Sequence, residues 1–172
     1  MSDVTVDGDA HLAHHDSYSN NLIRAILKRV ETIAMVGASP NWNRPSYFAM
    51  KYLQAKGYRV IPVNPKETGS TILGETVYGN LREIADPVDM VQVFRRSEAV
   101  PPIAEEAIEI GAKVLWMQLG VRNDAAAARA EQAGLKVIMN RCPKIEYGRL
   151  SGEIGWLGVN TRVISSKRGK RI

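Results

Sequence analysis

Five short apolar runs, at 32–36, 58–63, 88–94, 113–119 and 135–140, are separated from one another by stretches of helical or turn pattern. That alternation constrains the fold more than any other feature of the chain. The first run, TIAMV, is β-branched and apolar on both faces, which suits a strand buried between two layers of helices. Between the runs, helical patterns beginning near Pro45, near position 98 and near Asp124 each stop at a glycine, Gly57, Gly111 and Gly134. Glycine just past a helix tolerates the left-handed backbone that closes the last turn. LREI at 81–84 reads as a short helical turn. Upstream, Leu22, Ile23, Ile26, Leu27 and Val30 fall at helical spacing with Arg24, Lys28 and Arg29 opposite, an amphipathic helix leading into the first strand. Strands that follow one another through crossover helices imply a parallel sheet with right-handed connections. The expected fold is therefore α/β, a doubly wound Rossmann-like sheet of five strands in three layers, and 172 residues suit a single core.

The flanks exclude several function classes. Residues 1–18 are polar and acidic where a secretory leader would be basic and then apolar, and are expected to form a solvated tail ahead of a domain at 19–150. No apolar stretch approaches the roughly 18 residues that would span a bilayer. One cysteine, Cys142, precludes an internal disulfide and points to a reducing, cytoplasmic compartment. His11, His14 and His15 with Asp16 have the chemistry of a metal site, but a floppy segment would have to be ordered to bind one, and no metal is expected. Since these are the only histidines, the body is expected to lack an imidazole for acid-base work. The net charge of +5 comes partly from a terminal run, Lys167, Arg168, Lys170 and Arg171, within a C-terminal extension at 151–172, so nucleic acid is not an expected partner. Trp156 in that extension could pack on the body or on a second subunit.

In doubly wound folds the ligand lies beyond the carboxyl ends of the strands. Here those ends carry Gly37-Ala38-Ser39, Asn64-Pro65-Lys66, Phe94-Arg95-Arg96, Gln118-Leu119-Gly120 and Asn140-Arg141-Cys142. Gly37 allows a sharp turn, Ala38 and Ser39 leave the main chain approachable, and a helix starting at Pro45 would aim unpaired N–H groups at an anion. An ordinary strand-to-helix turn would look the same in isolation. A dinucleotide fingerprint would need three spaced glycines after the first strand and an acid after the second. This chain has GASPNW and then NPK, so Lys66 stands where the ribose-binding acid would be and favours a phosphate. With Arg44, Arg95 and Arg96 adding charge, and Phe94 or Leu119 available for apolar contact, the expected ligand is a polyanionic nucleotide carrying an apolar part. Arg95 and Arg96 could equally be a solvated loop, Gln118 could serve buried backbone, and Trp116 at mid-strand reads as core.

The ordered series VGAS, NRPSY, GYRVIPVNPK, VDMVQVF, VLWMQLGV and NRC, between about 33 and 150, resembles the coenzyme A-binding proteins related to the nucleotide-binding domain of the succinyl-CoA synthetase α subunit. The resemblance implies coenzyme A or an acyl-CoA as ligand. It implies Gly37, Ala38, Ser39 and Arg44 on phosphates, with Pro45 at the helix start, and Asn64, Pro65 and Lys66 near the adenosine phosphates. Val93, Phe94 and Arg95 would run along the nucleotide and Gln118, Leu119 and Gly120 beneath it. Asn140 departs from the Asp usual in that family. Acyl-CoA synthetases of this group carry a second domain with a phosphorylated histidine, which is not found in these residues, so a non-catalytic binding protein or sensor is expected, with a protein partner or a second copy of the chain. The alternatives are an enzyme component, either a partner-dependent acyl-CoA ligase subunit or a NAD-linked redox protein. Cys142, beside Arg141 at a strand end, is either a redox group able to pair with the coenzyme A thiol or an inert small residue.

Overall fold

The computed structural model describes residues 11–152. In chain order it contains α1 (Asn20–Arg29), β1 (Thr32–Val36), α2 (Pro45–Ala55), β2 (Arg59–Val63), a hairpin of β3 (Thr71–Ile72) and β4 (Glu75–Thr76), and β5 (Met90–Val93). There follow α3 (Val100–Glu109), β6 (Val114–Met117), α4 (Asp124–Gln132), β7 (Lys136–Ile138) and α5 (Pro143–Ser151). The five longer strands form one parallel sheet in the order β2-β1-β5-β6-β7, the doubly wound arrangement expected from the alternation of runs.

Local chemistry sets the element boundaries. The Ser19 hydroxyl accepts the Leu22 N–H at 3.2 Å and Asn123 Oδ1 accepts the Ala126 N–H at 2.9 Å, capping α1 and α4. Pro45 occupies the first turn of α2, where its missing N–H costs nothing. At the opposite end of the sheet, Asp89 Oδ2 accepts the N–H groups of Glu31 and Thr32 at 2.9 and 3.0 Å, tying the start of β1 to that of β5.

Two cores flank the sheet. Ile33, Met35, Met90, Trp116 and Ile138 pack against α1, α2 and Tyr147 of α5. Ala34, Val36, Val91, Val93, Leu115 and Met117 face the small residues of α3 and α4, among them Ala104, Ala107, Ala127 and Ala130. Trp116 is fully buried, as its mid-strand position implied, and its indole N–H donates to the Arg141 carbonyl at 2.9 Å.

Three features differ from the sequence reading. Residues 11–18, expected to be a solvated tail, lie against the body. The Tyr18 hydroxyl accepts the Met139 N–H just past β7, and the Arg122 guanidinium bonds Asp16 and the Leu12 carbonyl. His15 is consequently buried, with Nδ1 2.7 Å from Tyr18 Oη and Nε2 2.7 Å from a Glu131 oxygen, so the body does contain an imidazole. Burial holds the His15 pKa below its ordinary value, although Glu131 pulls the other way. The hairpin of β3 and β4 was not anticipated, because two-residue strands carry no periodicity; Leu73 and Gly74 both take positive φ at its turn. Past Arg141, where the pattern fades, α5 forms between Pro143 at its first turn and left-handed Gly152. It packs against both α1 and α2, so it has no single apolar stripe to read. Trp156 and the basic terminal run lie outside the described residues.

Candidate functional site

After β1 the chain passes into α2 on one face of the sheet, and after β5 into α3 on the other, so the loops following these neighbouring strands diverge. The carboxyl ends of β1 and β5 are therefore the switch point, where a doubly wound sheet opens a crevice. Gly37 makes this geometry possible. It has φ +89°, its N–H donates to the Val63 carbonyl at 2.8 Å, and a Cβ there would lie 2.3 Å from the Phe94 carbonyl oxygen.

Two crevices open at this edge. The first, of about 780 Å³, is lined by Pro45, Phe94, Arg95, Arg96, Ala99, Gln118, Leu119 and Val121. The second, of about 220 Å³, lies among Val36, Val63, Pro65, Arg95, Ala99 and Ile103, together with the loop at 79–81. Arg95 and Ala99 line both, so the two crevices are neighbours along this edge. The sequence reading missed the loop at 79–81 and the first turns of α3. These residues enter through tertiary folding and carry no motif.

The loop between β1 and α2 spends most of its donors on itself. The Ser39 N–H reaches Ser46 Oγ at 3.2 Å, the Asn41 N–H reaches Ser39 Oγ at 3.2 Å, and the Asn43 N–H reaches Asn41 Oδ1 at 3.0 Å. Among the described residues, the N–H groups of Ala38, Trp42 and Ser46 meet no acceptor; Ala38 and Ser46 are buried and Trp42 is exposed. Asn64 is a staple: its Nδ2 donates to the Ala38 carbonyl at 2.8 Å and its Oδ1 accepts the Lys66 N–H at 3.0 Å, which fixes the loops after β1 and β2 relative to each other. Asn140, at φ +56°, plays a similar part by accepting the Gly120 N–H at 2.8 Å. Val93 is wholly buried and supports the floor without lining it.

Several cations gather at this edge. Arg59, Arg82, Arg122, Arg129 and Arg149 are each paired with a carboxylate. Arg44, Lys66, Arg95 and Arg96 are exposed, and among the described residues none of the four has a carboxylate partner. Four unpaired cations around a crevice form an anion-attracting field. Cys142 is 8% exposed and lines neither crevice, while the neighbouring Arg141 guanidinium sits over the Tyr18 ring and bonds the Asp16 carbonyl. That position favours the inert alternative for the thiol. His14, His15 and Glu131 bring three ligand-type atoms within 4.8 Å of one another, but hydrogen bonds already join both imidazoles to the carboxylate, and this cluster lines neither crevice.

A five-stranded doubly wound parallel sheet with crevices at its switch point defines the Rossmann-like class of fold. Within that class the chain belongs to the CoA binding domain family, whose model matches residues 31–148. The protein YneT of Bacillus subtilis is 42% identical over 125 residues, covering 73% of this chain and 91% of that one. A solved structure of a Pyrococcus horikoshii protein superposes with a TM-score of 0.74 at 40% identity, covering 78% of this chain and 94% of that one. The α subunit of an ADP-forming acetate–CoA ligase from Pyrococcus furiosus is 35% identical over 89 residues; the match covers 49% of this chain but only 19% of the ligase subunit.

Proposed function

We propose that the protein binds coenzyme A or an acyl-CoA along the carboxyl edge of the sheet and acts as a non-catalytic binding module or sensor, through a protein partner or a second copy of itself. The observation that carries this reading is the set of four unpaired cations, Arg44, Lys66, Arg95 and Arg96, around two crevices that meet at Arg95. Coenzyme A has the matching form: a nucleotide with three phosphates, joined to a long arm of short apolar segments linked by two amides. The phosphates would take the N–H groups of Ala38 and Ser46 with Arg44 and Lys66, and the arm would follow Phe94, Leu119 and Val121 in the larger crevice.

A binding role is favoured over catalysis by the chemistry of the lining. The larger crevice offers two guanidiniums, one amide and apolar groups, with no nucleophile and no side chain that exchanges protons near neutrality. In the smaller one, Glu106 is committed to the Leu81 N–H at 3.0 Å and to Arg82. A NAD-linked role is disfavoured by Asn64-Pro65-Lys66 at the end of β2, where an acid would hold the ribose.

Calorimetric titration with coenzyme A, acetyl-CoA, NADH and ATP tests the reading. The first two bind, and Lys66→Ala or Arg95→Ala weakens them about five-fold each, as the loss of one charge-assisted contact implies. Higher salt weakens binding further. Tight NADH binding without a coenzyme A signal overturns the proposal. Formation of acetyl-CoA from acetate, ATP and coenzyme A by the protein alone overturns its non-catalytic part.

A further inference from the structure

Gln92 is the most deeply placed polar side chain in the sheet. It lies in the central strand β5, between Met35 of β1 and Trp116 of β6, and is 0% exposed. Those two neighbours belong to an apolar core, where methionine would fill the same volume without desolvating an amide. Packing therefore does not account for a glutamine at this point.

Its one partner does. Gln92 Nε2 donates to Gln118 Oε1 at 3.1 Å, and Gln118 lines the larger crevice. Gln92 Oε1 is buried with no donor, so the pair is built at a cost to the fold. The sense of the pair is set by that cost: turning both amides over would strand buried N–H hydrogens, which proteins leave unpaired less often than carbonyls. With Oε1 of Gln118 occupied, its Nε2 has no acceptor among the described residues and is not fully buried. Gln118 is 9% exposed and lines the larger crevice, so this amide nitrogen is the group it has left to donate there. We infer that Gln92 is a positioning residue, which holds the Gln118 amide so that its NH₂ donates to a carbonyl acceptor on the flexible arm of the ligand. The inference rests on the coenzyme A reading and deepens it, because that arm carries two amide carbonyls able to accept such a hydrogen bond, besides its amide N–H groups, a hydroxyl and the terminal thiol. A trench of Phe94, Leu119 and Val121 with one fixed amide donor in its wall is complementary to such an arm.

Two ligands separate this role from a structural one. Coenzyme A carries the arm; adenosine 3′,5′-bisphosphate carries the nucleotide phosphates without it. Gln118→Leu is expected to weaken coenzyme A about five-fold, the worth of one neutral hydrogen bond, and to leave the bisphosphate unchanged. Gln92→Leu is expected to do the same at a distance, and the double variant to be no weaker than Gln118→Leu, since the two residues act as one unit. Gln92→Met gives the same comparison with a residue closer to glutamine in length. Equal weakening of both ligands by Gln92→Leu, wild-type affinity for coenzyme A in that variant, or additive losses in the double variant each overturn the inference while leaving coenzyme A binding intact. A wild-type protein that fails to bind coenzyme A removes the underlying reading instead. In the unmodified protein, the Gln118 side-chain NH₂ resonances are expected to shift with coenzyme A and not with the bisphosphate; unshifted resonances overturn the inference without any variant.

Discussion

Gly37→Ala tests whether the close approach of β1 and β5 is as tight as the structure requires. At φ +89° an alanine would occupy the left-handed region, at a cost of about 1–2 kcal/mol. Its Cβ would also stand 2.3 Å from the Phe94 oxygen and 2.9 Å from the Phe94 carbon, both backbone atoms in the ladder. Relief requires the loops to separate by about 1 Å, since non-bonded heavy atoms rest near 3.5 Å. That strains two short hydrogen bonds, Phe94 N–H to the Val36 carbonyl and Gly37 N–H to the Val63 carbonyl, both 2.8 Å, each worth about 1 kcal/mol. The total is about 3–4 kcal/mol, which in a chain of this length lowers Tm by roughly 10 °C. Gly134→Ala is the control: φ there is +93°, but no atom lies within 4 Å of the added Cβ, so only the same conformational cost of about 1–2 kcal/mol applies. Urea unfolding of both variants, followed by circular dichroism, separates the two contributions. If they lose the same stability within about 0.5 kcal/mol, the steric reasoning is refuted.

His15 has its pKa lowered by burial, so the unfolded chain takes up the proton more readily. Its contribution is full above the ordinary histidine value and is lost as pH falls from there toward the depressed folded value. Amide protection factors in residues 11–18, taken against the intrinsic exchange rate at each pH, should therefore fall as pH falls through the ordinary histidine range, and His15→Gln should remove that dependence. Asp89 titrates in the same direction at lower pH. Burial opposes its ionisation, but the Thr32 and Glu31 N–H groups and Lys113 outweigh that and hold its carboxyl below the usual range. Asp89→Ala should cost about 2 kcal/mol in urea unfolding at pH 7, and the gap should narrow below pH 4 as the wild-type carboxyl takes up its proton. Cys142, buried outside the crevices, should form no adduct with oxidised coenzyme A in the native state by intact mass; an adduct would show that the thiol is accessible.

The order of the five longer strands and of α1 to α4 was legible because each buried strand is a short two-sided apolar run and α2, α3 and α4 each end at a glycine, and both signals are local. TIAMV, VIPV and MVQV could be read without knowing what they would touch. The site was legible in part for the same reason, since the topology places every strand end at one edge. The places of Arg95 and Gln118 in the crevice lining followed from position alone. The loop at 79–81 and the first turns of α3 did not, because they reach the crevice only after β5 has crossed to the far side of β1.

What the residues alone determined was a doubly wound sheet with a cationic carboxyl edge, since spacing and charge are written in order along the chain. The tertiary structure decided which groups are free to act there. It committed Asn64 and Asn140 to neighbouring backbone, left Arg44, Lys66, Arg95 and Arg96 without carboxylate partners, and drew His15 into the body through Tyr18 and Glu131. It also set Gln92 beneath Gln118 across two strands separated by 26 positions, a pairing that depends on sheet register and leaves no trace in local sequence.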